Sequence, residues 1–406
     1  MPTILTINSG SSSLKLALYR VDTASASPQL LYRGATDAIG KSGGSLTITD
    51  SAGKTIRRED ASHDSQSTAL THAAKKLHDL SGVQPDAIGN RVVHGGPHLR
   101  EHCRITPQVL DTLRAAIHYA PLHIPAALAL IETAARLYPD TPAFACFDTA
   151  FHITMPPEAS MYPIPLHFRE QGVQRYGFHG LSYESIVAFF GAASEPAVPP
   201  RLVVAHLGNG ASLCAIANGR SVDTSMGLTP TGGIPMGTRT GDLDPGVVLY
   251  LARNGHLNSN DLESLLNHQS GLVALSSGWQ PNGAPAPGIS DLRELTIAAD
   301  QGSSNARRAI AIFCRSIAKT VASYAAVLGG LDTLVFTGGI GEHSAVVREQ
   351  VCHQLAFLGI ALDSEANQRN SAVLSQKTSP IRVQVIPADE DGRIADHVRS
   401  MLETKG

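Results

Sequence analysis

The chain has 406 residues, enough for two or more domains that each enclose a hydrophobic core. A hydrophobic fraction of 43% and a charged fraction of 17% exclude the disordered and collagen-like classes. The formal net charge of −3 argues against general binding to nucleic acid or to an anionic membrane, so an anionic ligand would need local positive charges.

The N-terminal part of the chain alternates apolar and polar residues, which predicts strands over 3–8, 14–21, 30–39, 45–49 and 54–58. Helical periodicity begins at Ser65. Thr106-Pro107 is typical of a helix start, because a capping hydroxyl precedes a proline. That helix is predicted to run to about Tyr119, a further helix covers 125–138, and buried strands cover 87–93 and 143–147.

The same order of elements then recurs. Short strands are predicted over 202–207, 212–217, 220–224, 334–337 and 382–386, and helices over 244–253, 260–267, 304–328 and 393–403. A block of strands followed by mixed α/β structure therefore occurs twice, as a repeat of topology. We predict two similar α/β domains facing a cleft, one formed by 1–150 with the C-terminal helix of 391–406, the other by 151–390.

Targeting and redox signals are weak. The first eight residues carry no basic segment or apolar run of signal length, and no stretch approaches the roughly 20 uncharged apolar residues of a membrane span. The five cysteines are odd in number and never in CxxC spacing, which fits a reducing cytoplasm.

Three glycine loops follow predicted strands. Residues 8–13, Asn-Ser-Gly-Ser-Ser-Ser, join two strands, and Lys15 lies on the second strand on the same side as Ser13. Residues 206–212 form a second glycine-containing loop between two strands. Residues 338–342 follow a strand and precede a helix. Such loops aim backbone N–H groups at phosphate oxygens, so three in one chain indicate a nucleotide site more strongly than one.

Two other patterns are misleading. Residues 35–42 satisfy a relaxed P-loop pattern, but a turn and a strand follow where a P-loop opens a helix. His94, His98 and His102 have the spacing of metal ligands on a helix, but the Gly-Gly-Pro at 95–97 argues against a helix. We therefore expect neither a P-loop nor a zinc site from these residues.

Charged residues occupy positions that packing alone does not explain. Arg91 ends one apolar strand, Asp148 follows another, and strand ends in α/β sheets are where ligands bind. Arg239 lies in a long Gly-rich loop. The Pro/Gly-rich stretch 276–288, with the sole tryptophan Trp279, is a surface loop, a lid or a subunit contact.

These residues resemble the acetate kinase family over essentially the whole chain. The collinear matches include residues 7–15 (INSGSSSLK), 91–96 (RVVHGG), 120–123 (APLH), 147–152 (FDTAFH), 175–180 (RYGFHG), 206–210 (HLGNG), 222–227 (VDTSMG), 235–239 (PMGTR) and 336–342 (FTGGIGE). The resemblance implies a duplicated actin/sugar-kinase/Hsp70-like (RNase H-like) α/β fold. It also implies a homodimer that transfers a phosphoryl group between Mg-ATP and acetate, forming acetyl phosphate and ADP reversibly.

The resemblance also implies roles for individual residues. Arg91 and Arg239 would clamp the carboxylate and the moving phosphoryl group, His179 would stabilise the transition state, His123 would support it, and Asp148 would be the catalytic acidic residue. Asn8 and Glu390 would hold Mg²⁺, for which Mn²⁺ could substitute. The nucleotide-binding residues would be Lys15, Ser11, Ser13, His206, Leu207, Gly208, Asn209, Gly210, Asp291, Leu292, Arg293, Gly339, Ile340, Gly341, Glu342 and His343.

Simple chemical arguments limit the role of Asp148 and the choice of acid substrate. Simple carboxylic acids are ionised at pH 7, so the acceptor needs no general base, and we expect Asp148 to orient an arginine or the metal shell. Val93, Leu122, Phe178 and Pro230 are apolar neighbours of the expected acid site, together with Arg91. We expect acetate to be the best acid and propionate the second, because the branched Val93 narrows the pocket.

Three other functions stay open at this point. The chain could be a propionate or butyrate kinase, a non-catalytic nucleotide-binding switch or chaperone-like protein of the same fold, or an actin-like filament protein. Fold alone does not distinguish them. Arg91, Asp148, His179 and Arg239 argue for transfer chemistry, since nucleotide binding by itself does not require them.

Overall fold

The computed structural model describes residues 1–10, 12–21, 27–192, 197–279 and 285–403. Within these ranges the chain forms two compact units. Unit 1 comprises Met1–Ala150, Gly180–Ser185 and Asp389–Gly406, and unit 2 comprises Phe151–His179 and Ile186–Ala388. The domain limits predicted from the sequence did not include the short segment Gly180–Ser185 in the first domain.

The strands, in chain order, are β1 (Thr3–Ser9), β2 (Leu14–Arg20), β3 (Gln29–Thr36), β4 (Ser45–Asp50), β5 (Thr55–Asp60), β6 (Ala87–Val92), β7 (Cys103–Arg104), β8 (Ala143–Phe147), β9 (Arg201–Leu207), β10 (Ala211–Ala217), β11 (Arg220–Thr224), β12 (Gly278–Trp279), β13 (Pro285–Ala286), β14 (Thr333–Thr337) and β15 (Arg382–Val385).

The helices, in chain order, are α1 (Gln66–Ser81), α2 (Pro107–Ala115), α3 (Ile124–Leu137), α4 (Pro157–Ser160), α5 (Leu166–Glu170), α6 (Gly180–Ala192), α7 (Pro245–Asn254), α8 (Ser259–His268), α9 (Leu272–Ser276), α10 (Leu292–Asp300), α11 (Ser304–Val327), α12 (Gly338–His343), α13 (Ala345–Gln354), α14 (Ser364–Gln368) and α15 (Glu390–Glu403).

Unit 1 is built on an eight-stranded sheet in the order β5-β4-β3-β2-β1-β6-β8-β7. The first five strands are successive antiparallel neighbours, whereas β1, β6 and β8 run parallel to one another. The carboxyl ends of these three strands therefore meet at one edge of the sheet. This edge carries Asn8, Arg91 and Asp148, and α/β sheets bind ligands at such edges.

Both faces of this sheet are covered. On one face α1 and α3 pack around Leu16, Ile48 and Leu70. On the other face α15 places Ile394 and Val398 against β1, β6 and β8. Gly89 permits this approach, because an added Cβ would overlap both of these side chains.

Unit 2 repeats the central topology. Its five-stranded sheet has the order β11-β10-β9-β14-β15, with β9, β10 and β11 antiparallel and β9, β14 and β15 parallel. The central order of unit 1, β3-β2-β1-β6-β8, has the same succession of antiparallel and parallel pairs. The duplicated α/β fold expected from the sequence is therefore confirmed.

Helix α11 is long and apolar enough by length and composition to cross a membrane, which the sequence analysis did not foresee. Its apolar residues have another explanation in unit 2. Ile310, Phe313, Ile317 and Val321 are buried, and the helix packs against β9, β10 and α13. Helix α11 is thus a core helix of this unit.

Most predicted elements occur within a few residues of their expected limits. Ser65 caps α1 and Thr106 caps α2 through their side chains, as the hydroxyls predicted. The false P-loop is confirmed as such, because 35–42 leads into strand β4. The prediction for the last helix was too short, since α15 begins at Glu390, and helices α6 and α10 were not predicted.

Candidate functional site

At the parallel edge of unit 1, Arg91 forms a hydrogen-bonded centre. Its Nε donates to Asp148 Oδ1 at 2.9 Å and to Oδ2 at 3.1 Å, and its Nη2 donates to Oδ2 at 2.6 Å. Its Nη1 donates to Asn8 Oδ1 at 3.1 Å and to the Ser9 carbonyl at 3.2 Å. Arg91 therefore has one fixed orientation at the ends of the three strands.

The pair is deeply buried, with 13% of the Arg91 side chain and 1% of the Asp148 side chain exposed. Burial acts to lower the pKa of Arg91, but Asp148 and Glu390 raise it well above its usual range. Burial raises the pKa of the Asp148 carboxyl, and Arg91 opposes that rise. Because two buried charges need such close pairing, Asp148 serves here as the counter-ion that orients Arg91.

The start of α15 adds acidic groups to this centre. Asn8 Nδ2 donates to Glu390 Oε2 at 2.9 Å and to Asp391 Oδ1 at 3.1 Å, and Glu390 lies 4.0 Å from Arg91. Burial, and next the charge of Glu390, raise the pKa of Asp391, whereas Lys15 acts in the opposite direction. The amide and the two carboxylates offer hard oxygen ligands, which fit Mg²⁺. Sequence reasoning missed Asp391, although it directly follows Glu390.

The first glycine loop is a tight hairpin between β1 and β2. The Gly10 N–H donates to the Ser13 carbonyl at 2.8 Å, and Gln66 Nε2 donates to the carbonyls of Gly10 and Ser13 at 3.0 and 3.3 Å. Gln66 thus fixes the loop from the first turn of α1. Lys15 pairs with Asn8 in the strand register, so both side chains lie on one face. Ser11 lies outside the described residues.

Three further predicted residues, Val93, Leu122 and His123, belong to unit 1. Val93 is half-buried and directly follows β6. His123 is half-buried at the start of α3, and Leu122 before it is exposed. The His123 N–H donates to the Ala120 carbonyl at 3.0 Å.

In unit 2, His179 is held in an unusual conformation. Its backbone has a φ of 58°, a region that non-glycine residues rarely adopt. Its Nδ1 shares a hydrogen bond of 2.8 Å with Ser212 Oγ, and its ring stacks on His206 at 4.3 Å between centroids. Strained backbone of this kind is often found at functional sites, where the surroundings hold the strain.

The second glycine loop lies against this histidine. A Cβ added at Gly210 would be 3.2 Å from His179 Nε2 and 3.6 Å from Arg239 Nη1. Gly210, His179 and Arg239 therefore converge within unit 2, although they are far apart in sequence. Such a glycine leaves room for a ligand beside the two cationic or polar groups.

Arg239 differs from Arg91 in its charge compensation. Its Nη1 donates to the Pro230 carbonyl at 3.1 Å and contacts Met236 Sδ at 3.9 Å. In the parts of the chain that the structure describes, no carboxylate oxygen lies within 4.0 Å of it. Burial lowers its pKa. A half-buried guanidinium without a carboxylate is suited to an anionic ligand.

The third glycine cluster lies beside the second. β14 pairs with β9 so that Thr337 faces His206, and a Cβ at Gly338 would be 2.7 Å from the Leu207 carbonyl. Residues Gly338–His343 form α12 themselves, where the sequence predicted a turn before a helix, and Gly338 N–H donates to Glu342 Oε1 at 2.9 Å. Gly339 is exposed, with open space around its Cα.

The remaining predicted residues of unit 2 lie at the start of α10 and in its core. Asp291 caps α10, accepts from Arg293 N–H at 2.8 Å, and pairs with the exposed Arg293 side chain at 2.9 Å. Leu292 is buried. Phe178 is also buried, with its carbonyl hydrogen-bonded to His152 at 3.0 Å.

Comparison with known proteins decides the family. The acetokinase family profile matches residues 3–396. The chain belongs to the acetokinase family. It is 42% identical over 405 residues to the acetate kinase of Rhodopseudomonas palustris, covering 97% of each chain.

Solved structures of the acetokinase family support this assignment. The acetate kinase of Porphyromonas gingivalis matches with a TM-score of 0.83 and 35% identity, covering 99% of this chain and all of the other. A propionate kinase from Francisella tularensis matches with a TM-score of 0.86 and 35% identity over 98% of each chain. The chain is accordingly a kinase with the actin/sugar-kinase fold of this family, and ATP with a divalent metal follows from membership.

Proposed function

We propose that the protein transfers the γ-phosphoryl group of ATP to acetate and runs the reaction reversibly. An acetate oxygen attacks the γ-phosphorus, the bond from that phosphorus to the β–γ bridging oxygen breaks, and acetyl phosphate and ADP result. The observation that carries the proposal is Arg239, a half-buried guanidinium beside His179 and a glycine loop that lacks a carboxylate partner among the described residues.

Arg239 and His179 neutralise charge on the phosphoryl group as it moves. Guanidinium presents planar paired donors that match the flat phosphoryl group of the transition state. His179 is pre-positioned by Ser212 and by stacking on His206, so little reorganisation is needed at the moment of transfer.

Arg91 binds the carboxylate of the acid, and Asp148 and Asn8 hold it in place. Acetate is already ionised at neutral pH, so Asp148 does not abstract a proton in this mechanism. His123 supports the transition state from the start of α3.

Asn8, Glu390 and Asp391 hold the divalent metal, which we propose is Mg²⁺ with Mn²⁺ as a substitute. When bound, the metal neutralises charge on the β- and γ-phosphate oxygens. Asn8 donates a hydrogen bond to each of the two carboxylates, so the chain itself orders this set of side chains.

The nucleotide is bound by the glycine loops. Backbone N–H groups of 206–210 and of 339–343 approach the phosphates, and Lys15, Ser11 and Ser13 add donors from the first hairpin. Asp291, Leu292 and Arg293 would lie by the base and ribose.

The preferred acid is acetate, with propionate second. Val93, Leu122, Phe178 and Pro230 form the apolar surroundings of the acyl chain in this proposal. A propionate kinase is as similar to this chain as an acetate kinase is, with 35% identity for both solved structures, so propionate or butyrate is the alternative acid. One methylene changes binding by only about 1–3 kcal/mol, so discrimination will be modest.

We also propose that the protein is a cytoplasmic homodimer that binds neither nucleic acid nor membrane. The net charge of −3 and the odd number and wide spacing of the five cysteines support this reading. Val247, Leu249 and Tyr250 on α7 expose apolar surface that a second copy would cover. Light scattering should give twice the chain mass of 42.7 kDa.

The test is a hydroxamate assay with ATP, Mg²⁺ and separate acetate, propionate and butyrate. Arg239→Ala is the diagnostic variant, and Arg315→Ala, an exposed arginine of α11, is the matched control. We expect acyl phosphate from acetate, lost in the first variant and kept in the second. ATP binding without acyl phosphate from any acid would favour a non-catalytic nucleotide-binding protein, and a higher kcat/KM for propionate or butyrate would change the acid.

A further inference from the structure

Two histidines and a glutamate that the proposed mechanism does not use form a cluster in unit 1. Glu184 Oε2 lies 2.5 Å from His397 Nε2, and Glu184 Oε1 lies 3.7 Å from His102 Nε2. The two imidazole rings are 3.9 Å apart between centroids. The three residues come from α6, α15 and the loop before β7.

The composition is that of a metal site, but the hydrogen bonds oppose one. The Phe147 N–H donates to His102 Nδ1 at 3.0 Å, so Nδ1 carries no proton. The neutral ring must then carry its proton on Nε2, which is the atom that would have to bind a metal. Glu184 is instead hydrogen-bonded to His397 Nε2, and His102 Nε2 lies at ion-pair distance from its other carboxylate oxygen.

His102 and residues of α6 next to Glu184 are hydrogen-bonded to the segments that carry the proposed catalytic centre of unit 1. His102 holds the N–H of Phe147, the residue before Asp148, and the Asp148 carbonyl accepts from Gly180 N–H at 2.8 Å. Ser185 Oγ, next to Glu184, accepts from the Asp389 N–H at 3.1 Å, directly before the start of α15.

Helix α15 is therefore held at two points by consecutive residues of α6. Ser185 holds the residue before Glu390, and Glu184 holds His397, which lies two turns further along the same helix face. Glu390 and Asp391 lie between these points. Their position relative to Asn8 depends on where this helix begins.

We propose that His102, Glu184 and His397 are positioning residues that set the place of Glu390, Asp391 and Asp148. The cluster fixes the start of α15 against the end of β8, and through them the metal ligands and the counter-ion of Arg91. The inference rests on the proposed function for its catalytic consequence, whereas the positioning itself is independent of the reaction.

The surroundings shift the pKa values of Glu184 and His102. Burial acts to raise the pKa of Glu184, but the neighbouring His102 and His397 lower it to about 2. Burial lowers the pKa of His102. The other charged or titratable groups that face the cluster are Arg393 on α15, Cys103 on β7, Cys146 on β8 and Asp148.

The experiment compares Glu184→Gln and His397→Gln with Glu403→Gln, a more exposed acid on the same helix that pairs with Arg399. Hydrogen–deuterium exchange is followed in peptides covering 143–149 and 389–400. Mn²⁺ binding with ADP is measured by electron paramagnetic resonance, and Mg²⁺ dependence and acetate KM by the hydroxamate assay. Zinc in the purified protein is measured by mass spectrometry.

We expect both cluster variants to exchange faster in the two peptides and to need about tenfold more Mn²⁺ or Mg²⁺ for half-saturation. The acetate KM should change by less than about twofold, and Glu403→Gln should resemble the native protein. The positioning role would be overturned by unchanged exchange and metal affinity in folded variants. Stoichiometric zinc that Glu184→Gln removes would also overturn it. If no acid is phosphorylated but exchange and Mn²⁺ binding respond, the proposed function fails and the positioning role stands.

Discussion

Replacing Asp148 with asparagine tests whether this residue acts only through Arg91. Asparagine keeps the shape but removes the charge, and it turns an N–H donor toward a guanidinium that donates three hydrogen bonds to Asp148 at 2.6 to 3.1 Å. Breaking a buried ion pair by removing one partner costs about 3–5 kcal/mol. For a unit of this size, that corresponds to a melting temperature lower by about 6–20 °C.

Replacing either Asp148 or Arg91 should lower kcat by a large factor, and the two losses should not multiply in the double variant. We expect Asp148→Asn and Arg91→Ala each to lower kcat by about 10³-fold or more. If Asp148 acts only by orienting Arg91, the double variant should lose less than about threefold beyond Arg91→Ala alone. Stability is measured by thermal unfolding and rate by acyl phosphate formation well below the melting temperature.

The ion pair of Arg201 and Asp332 provides a matched control. The more exposed pair of Arg201 and Asp332 has the same chemistry, and Asp332→Asn should cost only about 0–1 kcal/mol. Losses in kcat that multiply in the double variant would refute the orienting role. The orienting role would also be refuted if Asp148→Asn bound substrates normally and lost only the basic limb of its pH–rate profile. That pattern is typical of a residue that transfers a proton.

Three further predictions follow from single contacts. Arg239→Lys should lower kcat by about 10³-fold, nearly as much as Arg239→Ala, because the point charge of lysine cannot replace the paired donors of a guanidinium. A lysine variant with near-native kcat would refute this. Gly89→Val should destabilise unit 1 by about 1–3 kcal/mol by overlapping Ile394, and unchanged thermal unfolding would contradict that contact. The pKa of Glu184 falls from 4.5 to about 2 on folding, so stability present above pH 4.5 should be lost as pH falls toward 2. Glu184→Gln should flatten that part of a stability–pH curve measured by urea unfolding, and an unaltered slope would count against it.

The sequence predicts those parts of the fold where local pattern and final structure agree. The strands of unit 1 alternate, and α1 and α2 begin at side chains that cap them. Helix α6 gives no such signal, because the apolar residues of GLSYESIVAFFGA are distributed around the helix without a clear periodicity and the segment contains two glycines. Its apolar character reflects burial within the fold, which periodicity alone does not reveal.

The residues of the candidate site were likewise only partly predictable from the sequence. Glycine loops and charges at strand ends are local signals, and they led to Asn8, Arg91, Asp148 and Arg239. The contacts of Gln66 with the first hairpin and of Glu184 with His397 join residues that are distant in sequence. No spacing rule connects such residues, so only the folded chain brings them together.

The discontinuous make-up of unit 1 has a consequence for biosynthesis. The strands of its sheet are translated first, but the face formed by Ile4, Ala17 and Phe144 is covered by α15, which is translated after all of unit 2. A nascent chain therefore carries an uncovered apolar sheet face until residues 390–403 leave the ribosome. Native unit 1 then forms only after translation of unit 2 is complete, and ribosome stalling before residue 390 should produce a chain that needs chaperone protection.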